Sequence, residues 1–184
     1  MAEPIIITFV DLETTGFDSK KCEIIEAAAV RSIVDDGTIR IVARADFKID
    51  PEYPVDPFIA RINGYREDVW YQESSQFEDV IGGIFDLMRG AWHAGSNPRF
   101  DEKFLMRAAK MLRWDYPKLA SYHLLDVSML AFPLLVKGEV ENLRQQTICK
   151  YYDIPGGGHR ALADAMQCLY LFANINNLKV VTEQ

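Results

Sequence analysis

The chain has 184 residues, and 20 lysines and arginines against 27 aspartates and glutamates give a formal net charge of −7. With 49% hydrophobic and 26% charged residues, it has the composition of an ordinary globular protein; one domain over residues 1–184 is expected, burying about 70% of the extended chain's surface. The acidic balance argues against a broad electrostatic clamp on a nucleic-acid duplex, but it leaves room for a small nucleic-acid site that brings its own cations.

The chain opens Met-Ala-Glu-Pro, without the basic and apolar regions of a secretory signal. Ile5 to Val10 is apolar and too short for a helix, which predicts a central strand buried on both faces. Ile24 to Val34 predicts a second strand, and Asp36-Gly37 supplies hairpin-turn chemistry. From Ile39 to Ile49 apolar and charged residues alternate, the period of a half-exposed edge strand. A loop with Pro51, Pro54 and Pro57 leads to a short helical stretch ending near Asn63-Gly64. Helices are then expected over about 77–89 and 100–112, with a short strand at 92–95 between them. A strand near 122–125 precedes a helix that stops before Pro133, and two further helices follow, over about 141–152 and 161–174. Strands first, then strands alternating with helices, give an α/β class with a mixed sheet flanked by helices. The longest apolar run, Met129 to Val136, has eight residues, far short of the ~20 that span a membrane. The three cysteines, Cys22, Cys149 and Cys168, form no close pair, which suits a reducing compartment. A cytoplasmic protein with no membrane attachment is therefore expected.

The first strand leads straight into Asp11-Leu12-Glu13-Thr14-Thr15-Gly16. If the strand persists, Asp11 and Glu13 project from one face. Two ionised carboxylates about 4 Å apart repel by roughly 4 kcal/mol at an effective dielectric near 20. Either one holds a proton or a hard divalent cation such as Mg²⁺ or Mn²⁺ neutralises both; a solvated loop whose acids cap the next segment is the other reading. Asp101 shares a helical face with Leu105, Ala108 and Leu112, where a carboxylate is costly unless paired, although a first-turn aspartate also suits the helix dipole. Asp164 is the only acid in a helix apolar nearly all round, so it needs a partner inside: Arg160, or a metal shared with Asp11 and Glu13. His159 ends a loop containing Gly156, Gly157 and Gly158, a tether for a residue that swings toward a substrate, or an ordinary histidine at a helix start. Together these residues describe an acidic metal cluster beside a histidine, a site for attack of water on a phosphate ester. No phosphate-binding Gly-x-x-x-x-Gly-Lys loop, close histidine pair for zinc or Gly-x-Ser-x-Gly elbow is present.

The runs DLETTG at 11–16, SNPRFDEKFL at 96–105 and HRALADA at 159–165 resemble the three motifs of the DEDD-type 3′-to-5′ exonucleases. The histidine five residues before the last aspartate resembles the subgroup of polymerase proofreading subunits and oligoribonuclease. The resemblance covers nearly the whole chain and implies a ribonuclease-H-like fold, a five-stranded mixed sheet and two divalent ions, Mg²⁺ or Mn²⁺. By motif position it implies Asp11, Glu13, Asp101 and Asp164 as metal ligands and His159 as general base. Thr14, Thr15, Phe17 and Asn97 fall where the family meets the terminal nucleotide. The implied partners are single-stranded 3′ ends, with a homodimer or a polymerase beside them. Ser96-Asn97 stands where many relatives have His-Asn, which bears on substrate contact more than on chemistry. Phe17 suits stacking on a terminal base or a core position. Asp126 resembles a supporting aspartate or a plain helix N-cap. Between Arg99 and Arg113 five basic residues against two acids form either a solvated face or a guide for phosphates. Two other classes compete with the exonuclease. One is an aspartyl-phosphate phosphatase, which would want Asp rather than Glu at position 13; the other is a nucleic-acid-binding module that kept the fold without the activity.

Overall fold

In the computed structural model, which describes residues 3–182, the first apolar run does not stop at Val10. β1 (Ile5–Thr14) carries Asp11 and Glu13 within it. β2 (Ile24–Asp35) and β3 (Thr38–Lys48) follow. The turn between them places both Asp36 and Gly37 at positive φ, 42° and 71°, the conformation that a tight hairpin demands. Three helices come next, α1 (Pro57–Asn63), α2 (Glu67–Glu73) and α3 (Phe77–Met88). β4 (Trp92–Gly95), α4 (Pro98–Met111), α5 (Tyr116–Leu119) and β5 (Leu124–Asp126) continue the chain. It closes with α6 (Val127–Leu130), α7 (Phe132–Val136), α8 (Gln145–Tyr151), α9 (Ala161–Ile175) and β6 (Lys179–Thr182).

The sheet runs β5-β4-β1-β2-β3-β6. β2 is antiparallel to β1 and β3, whereas β4 is parallel to β1, β5 to β4 and β6 to β3. The expected mixed sheet is there, with one correction: it has six strands rather than five. β6 lies against Thr38–Ile41 of β3, so β3 is not an edge strand over that half. Four residues are too few for a period of two to register in the sequence. The strand is fixed instead by its partner, with Lys179 N–H donating to Gly37 O at 3.0 Å.

Alternation along β1 sorts its side chains into two layers. Val10 and Leu12 pack with Ile81, Ile84 and Phe85 of α3 and with Phe104 and Leu105 of α4. Ile7 and Phe9 pack on the opposite side with Ala165, Leu169 and Leu171 of α9. Asp11 and Glu13 continue the second set, so the strand aims both acids at α9. Helix boundaries shift where local polar groups intervene. The helix expected from 141 begins at Gln145 because the Asn142 side chain accepts from Arg144 N–H and the Thr147 hydroxyl, at 2.9 Å each, holding a turn ahead of it. Pro133 stops one helix and sits in the first turn of the next, where its missing N–H is harmless. No helix among the described residues is long and apolar enough to cross a membrane.

Candidate metal centre

Three elements converge at the C-terminal end of β1. Asp101, in the first turn of α4, is 4% exposed, and its Oδ1 accepts from Leu12 N–H at 3.1 Å. That bond fastens α4 to β1 at the residue lying between the two strand acids. Asp164 sits in the first turn of α9. Glu13, His159 and Asp164 each offer one ligand atom within 4.8 Å of one another.

The loop before α9 sets the position of His159. Gly158 and His159 both have positive φ, 71° and 55°; the first suits glycine, and the second is uncommon for a side-chain-bearing residue. A Cβ built on Gly157 would fall on the Asp164 carboxylate, so any larger residue here would have to displace that carboxylate or the loop. Gln167 holds the loop's base, donating from Nε2 to Pro155 O and accepting from Gln145 Nε2 at 3.0 Å. Gln145 Nε2 also lies 3.1 Å from Asp164 O. The exposed His159 ring has Nε2 at 3.5 Å from Gln146 Nε2.

Asp11 and Asp101 lie outside the cluster of Glu13, His159 and Asp164, yet the four carboxylates feel one another's charge and cannot all ionise comfortably. Burial, then the charges of Asp101, Asp164, Glu13 and Glu26, hold the Asp11 carboxyl well above the usual range. Burial first and Asp164 second push Glu13 up to about 8, with Arg160 partly opposing them. Burial raises Asp101 to about 8 against the pull of backbone N–H groups. Burial also raises Asp164, with the nearby His159 working the other way. Arg160, the alternative partner for Asp164, turns elsewhere: its Nη2 is 2.8 Å from Glu26 Oε1, and its guanidinium lies 4.9 Å from the centre of the Trp70 ring. The donor set is therefore hard and anionic, and Arg160, the cation that acts on Glu13, is held by Glu26. The set fits oxygen-seeking divalent ions.

The expected substrate contacts fall around this centre with mixed freedom. Phe17 is 73% exposed, which rules out the core reading. The Thr14 hydroxyl donates to Gly16 O at 2.7 Å, and the Thr15 hydroxyl accepts from Glu23 N–H at 2.9 Å, so both brace the turn after β1. Asn97 is exposed at the start of α4 in the left-handed region, φ 57°. Asp126 caps α6 and also lies 3.4 Å from Asn97 N–H, so it serves as an N-cap and ties the motif-two turn to β5. In the basic stretch, Arg99 pairs with Glu102 at 2.6 Å, and Arg107 donates to Ser19 O and Cys22 O at 2.9 and 2.7 Å. Lys103 and Lys110 remain exposed.

Sequence reasoning missed three residues here. Glu26 faces Glu13 across the β1–β2 register and is 1% exposed; its signal was a lone charge in the apolar run from Ile24 to Val30. Asn63, 2% exposed, donates from Nδ2 to Thr14 O at 3.1 Å. Gly157 was read as part of a tether, whereas it is packed against Asp164.

The mixed sheet with its flanking helices is a ribonuclease-H-like fold, and at the end of β1 Glu13, His159 and Asp164 could together hold a metal ion. The sequence profile of the exonuclease family RNase_T matches residues 8–172, and the chain belongs to that family, the DEDD-type 3′-to-5′ exonucleases. The chain is 26% identical over 163 residues to DNA polymerase III PolC-type from Caldanaerobacter subterraneus subsp. tengcongensis, covering 88% of this chain and 11% of that one. It is 27% identical over 167 residues to the 3′-5′ exonuclease DinG of Bacillus subtilis, covering 90% and 17%. With DNA polymerase III subunit epsilon of Treponema pallidum, identity is 25% over 177 residues, covering 94% and 77%. The PolC-type and DinG relatives are thus far longer, and the chain spans well under a fifth of each. E. coli Exonuclease I, solved in complex with a dA16 oligonucleotide, superposes with a TM-score of 0.77 at 18% identity, over 92% of this chain and 41% of that one, a likeness of fold. The family is divalent-metal dependent.

Proposed function

We propose that the chain is one metal-dependent 3′-to-5′ exonuclease domain of the histidine subgroup, hydrolysing single-stranded DNA or RNA from the 3′ end to nucleoside 5′-monophosphates. The observation that carries this reading is that Glu13, Asp164 and His159 offer ligand atoms within 4.8 Å of one another, while Asp11 feels the charges of Asp101, Asp164 and Glu13 and the neighbouring arginine is held by Glu26. Asp11, Glu13, Asp101 and Asp164 would hold two divalent ions, Mg²⁺ or Mn²⁺. When bound, such ions offset the carboxylate charge, polarise a phosphate and stabilise the leaving 3′-oxygen.

The chain's own residues do the rest. His159, exposed on its loop beside Asp164, accepts a proton from the attacking water; the carboxylate next to it stabilises the imidazolium that forms. The Gln167 and Gln145 contacts limit where the loop can carry the ring. Phe17 offers a face on which any terminal base can stack, which gives binding without sequence preference. With their hydroxyls engaged in the turn, Thr14 and Thr15 meet the terminal nucleotide through their backbone, and Asn97 approaches it from α4. The polymerase names among the relatives support a polymerase as partner, a second copy of the chain being the other candidate.

The test uses 5′-labelled single-stranded DNA and RNA incubated with Mg²⁺, Mn²⁺ or EDTA. A ladder shortened stepwise from the 3′ end, abolished by EDTA and by Asp164→Asn, is expected. Release of terminal phosphate with the internal phosphodiesters untouched would select the phosphatase class. Binding with no product under either metal would select the silent binding module.

A further inference from the structure

One charged pair beside the metal centre has no part in the chemistry proposed above. Glu26 lies on β2 directly across from Glu13. Its Oε1 accepts from Arg160 Nη2 at 2.8 Å. Its Oε2 is buried with no hydrogen-bond partner. The charges facing this carboxylate are Arg160, Asp46 and Lys48, together with Glu13 and Asp11 across the strand pair.

Arg160 is clamped on a second side. Its guanidinium lies over Trp70, which is 1% exposed and donates its indole N–H to Ile25 O at 2.8 Å. Lys48, the other cation near that ring at 5.7 Å, is tied to Glu73 at 2.7 Å. Arg160 and Lys48, the cations that act on Glu26, are thus paired with Glu26 and Glu73, carboxylates outside the candidate metal site. The arrangement matters because of where Arg160 stands in the chain. It follows His159 directly and stands at the N-cap of α9, just ahead of the first turn that carries Asp164. A guanidinium keeps its charge at any working pH and binds carboxylates through two parallel N–H groups. Its field already reaches Glu13, so it can compete with a divalent ion for the carboxylates.

We propose that Glu26 is a positioning residue that sequesters Arg160, keeping a built-in cation out of the carboxylate site where divalent ions bind. This rests on the metal-centre reading above. A pair serving only the stability of the fold would lower the metal-free Tm of Glu26→Gln but leave the folded variant's Mn²⁺ affinity like the parent's.

The experiment titrates the full chain with Mn²⁺ alone, following free Mn²⁺ by electron paramagnetic resonance, with the Mn²⁺-induced rise in Tm as a second readout and far-UV circular dichroism as the check on folding. Glu26→Gln should weaken Mn²⁺ binding by about tenfold or more, because an unneutralised positive charge is left beside Glu13 and Asp164. Glu26→Gln combined with Arg160→Gln should recover binding to within about threefold of the parent, although the ion pair is gone. Parent-like binding by Glu26→Gln overturns the proposal, as does a double variant that binds no better than Glu26→Gln. Should Glu26→Gln fail to fold, Arg160→Gln alone carries the test: binding at least as tight as the parent supports sequestration, and weaker binding overturns it. A parent chain that takes up no Mn²⁺ defeats the metal-centre reading itself, a result distinct from all of these.

Discussion

Removing divalent ions should make the protein's stability fall as pH rises. Glu13 and Asp101 both titrate near 8 when folded, against ordinary values of 4.5 and 3.8, and Asp11 and Asp164 move the same way. The folded chain therefore holds these protons more tightly than the unfolded chain. The resulting stability is fully present below the unfolded values and is lost as pH climbs through the folded ones, between about pH 4.5 and about pH 8.5. Carrying Glu13 from 4.5 to about 8, at about 1.4 kcal/mol per pH unit, corresponds to about 5 kcal/mol for a carboxylate shut away from water. Glu13 is only partly buried, and solvent screening brings the figure to roughly 2–3 kcal/mol. At about 2–4 °C of Tm per kcal/mol for a chain of this size, the loss amounts to ~5–10 °C. Mg²⁺ or Mn²⁺ at about 100 times its dissociation constant returns about 2.7 kcal/mol and flattens the curve. The assay is a set of thermal melts across this pH range, with EDTA or with metal, run on the parent and on Asp11→Asn. Asp11→Asn removes one charge from the cluster, so its metal-free Tm near pH 8 should exceed that of the parent while its response to metal shrinks. Chelated parent protein whose Tm stays flat or rises relative to Asp11→Asn over this window would refute the crowding of the four carboxylates.

Three further outcomes follow from the same geometry. His159→Ala should lose ~10²–10⁴-fold in single-turnover rate while Mn²⁺ still raises its Tm, since the four carboxylates remain; a variant as active as the parent removes His159 from the chemistry. Phe17→Ala should raise KM for single strands by about 5- to 150-fold with kcat nearly unchanged, matching about 1–3 kcal/mol of lost stacking, and Phe17→Trp should restore it; an unchanged KM means that the exposed ring does not touch substrate. Gly157→Ala should displace the loop from Asp164, because the added methyl falls on that carboxylate. A stability loss of about 1–3 kcal/mol is expected together with weaker Mn²⁺ binding, and parent-like melts with intact metal binding would show that the loop does not need this approach.

How much of the molecule was legible in the sequence depends on how far a residue's fate is decided nearby. The strand leading into Asp11 and Glu13, the helix that opens with Asp101 and the apolar helix around Asp164 all announce themselves by period and polarity, because each spans enough residues for one face to stand out. α2, α5 and β6 do not, being only one or two turns or four residues long and fixed by what they lie against. The partner of Arg160 shows the limit most clearly. Spacing along the helix offers it Asp164 one turn away, yet it bonds Glu26, 134 residues back in the chain. Two long-range facts reverse the local preference. Trp70 on α2 gives the guanidinium a flat surface, and the β1–β2 register sets Glu26 opposite Glu13. The same reasoning that flagged Asp164, a lone acid in an apolar run, applies to Glu26 among Ile24 to Val30, so the acid was findable while its role was not. Which charges the chain carries can be read along one dimension. Which of them are neutralised, and so whether four carboxylates stay open for a cation, is decided only when strands and helices meet.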